Sequence, residues 1–231
     1  MTDTSLEHSN PALADQVNDP SFENLWQELV WRGLVQVSTE EASLEEALGG
    51  SPITFYCGFD PTAASLHLGH LVQLLTMRRL QVAGHRPLAL VGGSTGLIGD
   101  PRQTGERVLN TPETVSGWVD SLRTQIQHYL DFGGTNAATM VNNLDWTQQI
   151  SAIEFLRDIG KYFRVGSMIK KDIVAKRLTS DEGISYTEFS YQILQGLDYL
   201  QLYRDYDCRL QTGGSDQWGN ITSGTELVRR V

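Results

Sequence analysis

Three stretches of the chain repeat apolar residues at helical spacing, and four short ones read as strands between them. His67–Val82, Glu113–Phe132 and Thr187–Tyr203 carry the helical period. Ile53–Cys57 alternates Ile53, Phe55 and Cys57 against Thr54 and Tyr56, as a strand does. Leu88–Val91 is a short continuous apolar run, the pattern of a parallel strand covered on both faces. Thr139–Asn143 and Cys208–Gln211 are weaker strand candidates. This alternation predicts an α/β fold, a doubly wound parallel sheet. Such sheets bind ligands beyond the carboxyl ends of their strands, so the segments after Cys57, Val91, Asn143 and Gln211 are the places to look.

Ahead of the first strand the pattern is different. Met1–Asp19 is polar and is expected to fray. Ser21 is placed to cap a short helix with Phe22, Leu25, Trp26, Leu29 and Val30 on one face and Gly33 at its end. Ser38-x-x-Glu41 reads as a capping box opening a second helix, which stops at Gly49-Gly50 before Pro52. Charge marks the same division. The chain carries 28 acidic and 18 basic residues, a net of −10. Ten of the acids but only one base, Arg32, lie in residues 1–50, leaving residues 51–231 nearly neutral. The expected organisation is therefore an acidic helical segment over 1–50 and an α/β domain over 51–231.

With 40% hydrophobic and 20% charged residues, the chain is globular rather than disordered. Two cysteines exclude a disulfide scaffold, and no CxxC or HExxH spacing suggests a metal site. No basic–apolar leader and no apolar run near the roughly 20 residues of a membrane helix is present, so a cytoplasmic protein without membrane contact is expected. The charge of −10 taken alone argues against nucleic acid as a partner. Residues 151–180 break that rule locally. They hold seven bases (Arg157, Lys161, Arg164, Lys170, Lys171, Lys176, Arg177) against three acids (Glu154, Asp158, Asp172). They form either a solvated helix face or an RNA contact.

Four strand ends carry candidate chemistry. After the first, Gly58, Asp60 and Pro61 turn the chain into a helix that opens with His67, Gly69 and His70. Two imidazoles, the Thr62 hydroxyl and a helix N-terminus make a donor set suited to a polyphosphate, and bare Gly69 would let a flat ring approach. After the second, Gly92-x-Ser94-x-Gly96 has the spacing of a hydrolase nucleophile elbow, with Asp120 and His128 following in order. Gly96, Gly99 and Pro101 argue against the helix such an elbow needs. The glycines are read instead as room for backbone to approach a ligand faced by Asp100. On the third helix, behind the capping box Ser185-x-x-Glu188, Tyr191, Gln195 and Asp198 share one face, either solvated or the wall of a polar pocket. Tyr56, on the non-core face of the first strand, would complete such a pocket. After the fourth strand, Gly213-Gly214 turn the chain toward a helix capped by Ser215 or Asp216 and carrying Gln217.

In this order, YCGFDPTAASLHLGH, GGSTGLIGDP, EFSYQILQGLDY and LQTGGSDQWGN resemble the bacterial tyrosyl-tRNA synthetases, class I aminoacyl-tRNA synthetases, over about Leu25 to Val231. His67-Leu68-Gly69-His70 is similar to the class I HIGH signature, with leucine for isoleucine. The resemblance implies a Rossmann-like catalytic domain with a helical insertion over residues 115–175 that forms a homodimer interface. It implies that tyrosine and ATP–Mg²⁺ give tyrosyl-adenylate and pyrophosphate, and that the tyrosyl group then passes to tRNA(Tyr). No tightly bound cofactor and no protein metal ligand is implied. Thr62, His67, His70 and Arg107 would hold the phosphates. Gly58, Asp60, Pro61, Gly69, Gly214 and Asp216 would line the ATP site. Asp100, Asn143, Tyr191, Gln195 and Gln217 would serve the tyrosine site, with Tyr56 and Asp198 on the phenolic hydroxyl. The basic stretch would meet the tRNA acceptor stem.

Two departures qualify this. The second family signature, similar to KMSKS, and the tRNA-binding C-terminal parts do not occur before Val231. The loop after Asp100 keeps Arg107 but lacks a lysine common there. The chain is therefore expected to bind tyrosine and to activate it poorly. The alternatives are a non-catalytic paralogue that binds tyrosine or nucleotide, and a tryptophanyl-type synthetase, which Tyr56 and Asp198 disfavour.

Overall fold

The computed structural model describes residues 10–102, 105 and 108–231. Arg107 lies outside them. Among the described residues four strands form a single parallel sheet: β1 (Thr54–Phe59), β2 (Arg86–Val91), β3 (Thr139–Asn142) and β4 (Cys208–Thr212), in the order β3-β2-β1-β4. The chain steps from β1 to β2 to β3 and then crosses back to place β4 on the other side of β1. That reversal opens a crevice between the carboxyl ends of β1 and β4, where Tyr56 stands beside Gln211 and Cys57 beside Thr212.

The helices follow in chain order: α1 (Leu25–Trp31), α2 (Glu41–Gly49), α3 (Leu68–Val82), α4 (Thr95–Ile98), α5 (Pro112–Ile126), α6 (Leu144–Thr147), α7 (Ala152–Glu154), α8 (Val165–Met168), α9 (Asp172–Leu178), α10 (Tyr186–Tyr206) and α11 (Trp218–Arg230). Phe55, Cys57 and Phe59 of β1 face a core built with α1, α2, α3 and α5 through Trp26, Leu29, Leu48, Leu74, Met77, Val119 and Leu122. Tyr56 faces a second core with Leu88, Leu90, Val141, Tyr199 and Leu202. β1 is thus covered on both faces except at Gly58, which is exposed. The alternation in its sequence sorts side chains between two cores, as expected for a central parallel strand.

The acidic N-terminal helices share the first core. Glu28 of α1 is 1% exposed and is gripped by Arg32 and by Arg79 of α3. Within residues 115–175, Val115, Val119, Leu122 and Ile126 of α5 also belong to that core and β3 belongs to the sheet. The helices that stand off the sheet follow β3. Among the described residues no helix is long and apolar enough to cross a membrane.

Helix boundaries differ from the sequence expectation where capping chemistry decides. Asn24, not Ser21, caps α1, its side chain accepting from Gln27 N at 2.9 Å. The Ser21 hydroxyl is already spent on Asp19. Glu40 rather than Ser38 caps α2. Pro112 opens α5 behind the cap Thr111, and the helix closes at Gln127, short of Phe132. Asn24→Ala is expected to cost about 1 kcal/mol in urea unfolding, and Ser21→Ala less than about 0.5 kcal/mol.

Candidate functional site

The crevice holds a cleft of about 360 Å³ whose lining comes from all four motif segments. Tyr56, Gly58, Asp60, Thr62, His67, Gly69 and His70 line it from β1 and the start of α3. Asp100, Tyr191, Gln195, Asp198, Gly214, Asp216 and Gln217 line it from the other three. Pro61 and Asn143 are buried behind the wall.

Asp198 forms the floor. It is 2% exposed and accepts from Asn143 Nδ2 at 3.0 Å and from Trp146 Nε1 at 2.9 Å. Burial drives its pKa up to about 7, partly offset by those two donors, and nearby Asp60 adds to the rise. The Tyr56 hydroxyl is buried beside it without a hydrogen-bond partner among the described residues. Burial and the Asp198 charge push that phenol far above its ordinary pKa. An unpartnered buried hydroxyl costs free energy unless a bound group satisfies it. The floor therefore suits a ligand that carries a hydroxyl on an apolar body.

One continuous network builds the wall. Asn143 also bonds Thr95 Oγ1 at 3.0 Å and Ser94 N at 2.8 Å. Thr95 Oγ1 donates to Asp60 Oδ1 at 2.6 Å, and Tyr191 donates to Asp60 Oδ2 at 2.7 Å. The glycine-rich turn after β2 makes room for this network rather than for a ligand. A β-carbon on Gly92 would collide with Asp60 and Thr95, one on Gly93 with Asn142, and one on Gly96 would lie 2.6 Å from Pro61 Cγ. A helix does follow Ser94, contrary to expectation: α4 makes a single turn before Gly99 ends it at φ +80°. Ser94 is nevertheless no nucleophile. It is 6% exposed and its hydroxyl meets that of Thr147.

At the mouth, α3 begins with a cap made of its two histidines. His67 Nδ1 accepts from Gly69 N at 3.1 Å, and His70 Nδ1 accepts from His67 N at 3.4 Å. The rings stack at 3.7 Å. An Nδ1 that accepts from backbone leaves the proton of a neutral ring on Nε2. Burial and the neighbouring His67 hold His70 down at about 4, so it is a neutral donor near pH 7. Two Nε2–H groups and the Thr62 hydroxyl thus lie beside a helix N-terminus, an arrangement that favours anions.

The opposite rim is set by Gln217, the residue before α11. A single 3₁₀ turn, Ser215–Gln217, intervenes, so neither Ser215 nor Asp216 caps α11. Gln217 Nε2 instead reaches Asp100 Oδ2 at 3.2 Å and Asp216 Oδ2 at 3.0 Å, while Asn220 donates to Asp100 Oδ1 at 3.4 Å. Gln195 Oε1 is buried without a partner among the described residues. Several contributors escaped sequence reasoning. Trp146 and Gln73 lie outside every motif used. Cys57, Thr95, Gln211, Thr212 and Asn220 sit inside motif segments, but nothing in their spacing marks them. Burial pushes the Cys57 thiol up to about 12, so it is no thiolate nucleophile. Among the described residues no group of three or more His, Cys, Asp or Glu could hold a metal ion.

The basic stretch divides. Arg177 is 1% exposed, Lys171 is half-buried against Asn220, and Arg157 pairs with Asp158 at 2.7 Å. Lys161, Arg164, Lys170 and Lys176 remain exposed. Arg177 is thereby removed from any RNA-facing surface.

Residues 49–231 match the model of the family described as tRNA synthetases class I (W and Y). The tyrosine–tRNA ligase of Leifsonia xyli subsp. xyli is 72% identical over 219 residues, covering 95% of this chain and 50% of that protein. The tyrosine–tRNA ligase of Streptomyces coelicolor is 69% identical over 204 residues, 88% of this chain and 48% of that protein. The chain thus spans about half the length of the curated relatives it matches. Among solved structures, a C-terminally truncated mitochondrial tyrosyl-tRNA synthetase of Aspergillus nidulans superposes with TM-score 0.79 at 30% identity, over 91% of this chain and 62% of that one.

The Asp198 pKa stands above its unfolded value of 3.8, so the native chain holds a proton that the unfolded chain releases. Its contribution to stability is full below that value and is lost as pH rises through about 7. Urea midpoints measured against pH should show this decline, and Asp198→Asn should flatten it. Gly92→Ala should displace Asp60 and cost about 1–3 kcal/mol in the same assay.

Proposed function

Because the chain belongs to the class I tRNA synthetases of the W and Y group, we propose that its cleft binds L-tyrosine and ATP–Mg²⁺ and serves a tyrosine–tRNA ligase. A tyrosine carboxylate oxygen attacks the α-phosphorus of ATP. The bond from that phosphorus to the bridging oxygen breaks, and pyrophosphate leaves with the electron pair. In the whole protein a ribose hydroxyl of tRNA(Tyr) then takes the tyrosyl group and AMP departs. No protein nucleophile is needed, in keeping with a buried Ser94 and a protonated Cys57. The work asked of the chain is orientation and charge stabilisation.

The observation that carries the reading is the pairing of Asp198 with the unpartnered Tyr56 hydroxyl on the floor of the cleft. A tyrosine ring placed there brings a phenolic hydroxyl that can donate to Asp198 and accept from Tyr56. Phenylalanine would leave the Tyr56 hydroxyl unsatisfied and bring Asp198 no further donor, and the indole of tryptophan offers no acceptor for Tyr56. The amino and carboxylate end then meets Asp100, Tyr191, Gln195 and Gln217, with Asn143 holding Asp198 from behind. Thr62, His67 and His70 serve the phosphates as donors at the start of α3, and Arg107 is assigned the same role. Gly58, Asp60, Pro61, Gly69, Gly214 and Asp216 frame the nucleotide.

Two partners follow from surfaces outside the cleft. Ile153, Leu156, Val165 and Tyr186 are 68%, 51%, 62% and 63% exposed, an apolar set suited to a homodimer contact. The exposed bases Lys161, Arg164, Lys170 and Lys176 suit the acceptor stem of tRNA. The setting is cytoplasmic.

Tyrosine should raise the melting temperature of the chain, and no shift at millimolar ligand would sink the reading. Asp198→Ala should weaken tyrosine at least about tenfold more than phenylalanine by calorimetric titration. A ligand that donates to the Asp198 carboxylate favours its ionised form. Tyrosine affinity should therefore rise as pH climbs through about 7, with proton release visible between buffers of different ionisation enthalpy.

A further inference from the structure

Arg177, near the end of α9, heads the set of largest fully buried side chains. Its guanidinium is engaged on every side. Nη2 lies 2.8 Å from Glu188 Oε2, in the first turn of α10. Nε donates to Gly183 O at 2.9 Å. Nη1 donates to Gly105 O at 2.7 Å and to Arg102 O at 3.2 Å. Glu188 is consequently drawn away from the capping box its sequence promised. Ser185 still caps α10, accepting from Glu188 N at 3.3 Å, but the carboxylate turns to Arg177.

A buried ion pair is weak support for stability, since apolar residues of similar volume often serve as well. A planar fork of donors supplies direction instead, fixing several acceptors at once. Here the acceptors belong to two walls of the cleft. Arg102 and Gly105 lie just beyond Asp100, whose own partners Gln217 and Asn220 are held at 3.2 and 3.4 Å. Glu188 lies one turn before Tyr191 and two before Gln195. At the other end of α9, its cap residue Lys171 reaches Asn220 Oδ1 at 3.2 Å, and Asn220 in turn donates to Asp100. The short helix therefore braces Asp100 from both of its ends.

We propose that Arg177 is a positioning residue for the ammonium-binding part of the tyrosine site: it fixes the backbone behind Asp100 against α10, so that the carboxylate meets the amino group of the amino acid. This rests on the tyrosine reading above. The effect is confined to one end of the ligand, because the phenol end is held by Asp198 and Tyr56, which Arg177 does not touch.

Two ligands separate this from a general loss of structure: L-tyrosine, and 3-(4-hydroxyphenyl)propionate, which lacks the amino group. Arg177→Lys keeps a cation beside Glu188 but removes the fork. Tyrosine should bind about tenfold more weakly and the desamino acid should change by less than about twofold. In an Asp100→Asn background the same substitution should add nothing further to the loss of tyrosine. Equal losses for both ligands, an undiminished tyrosine affinity, or additive losses in the Asp100→Asn background would each overturn the proposal. Should Arg177→Lys not fold, as judged by circular dichroism, Arg177→Gln with Glu188→Gln removes both buried charges together and is read in the same way. A wild-type chain that binds neither ligand refutes the tyrosine site itself. A wild-type chain that binds both, with an indifferent Arg177→Lys, refutes only the role of Arg177.

Discussion

A carboxylate taken out of water must find compensating donors or surrender its charge, and the arrangement around Asp198 is governed by that demand. Asn143 and Trp146 supply two donors, but burial still lifts the pKa to about 7. The residues that serve Asp198 cannot move independently. Asn143 is shared with Ser94 and Thr95, Thr95 with Asp60, and Asp60 with Tyr191. Each bond fixes the rotamer of the next side chain, so the floor and wall of the cleft form one rigid polar network set between two apolar cores.

Such a network requires backbone to come close, and the turn after β2 shows how this is achieved. Gly92, Gly93 and Gly96 have no space for a β-carbon because Asp60, Asn142 and Pro61 already fill it. The conformational freedom of glycine matters less at these positions than its lack of a side chain. Gly99, at φ +80°, is the case in which the backbone itself requires glycine. Packing and recognition are thus the same problem here, since what seats Asp60 also shapes the pocket.

Charge is organised in the same spirit. The acidity of the N-terminal helices is partly drawn inward, with Glu28 tied to Arg79 of α3 and the first core packed beneath it. Part of the basicity of residues 151–180 is also turned inward, to Glu188 and to the backbone beyond Asp100. At the mouth of the cleft His70 contributes a donor without charge. Anion attraction there comes from oriented N–H groups and the helix dipole, which need no protonation and so persist across neutral pH.

The period of the apolar residues was enough to announce a parallel α/β sheet. The four motif segments, each at a strand end or on one helix face, were enough to mark the crevice, because strand alternation and helical spacing are local properties of the chain. The sequence could not say which partner each polar group would choose. Ser21 and Ser38 have the right chemistry to cap helices, yet Asn24 and Glu40 do so. Arg177 has the composition of an RNA contact, yet it is buried among carbonyls. Trp146 carried no signal, because its role depends on a carboxylate 52 residues away. By itself the sequence determined the sheet, the position of the crevice and the residue types around it. Only the tertiary structure decided which carboxylates lost their water and which cations were spent holding the site together, because desolvation is set by everything packed around a group and not by its neighbours along the chain.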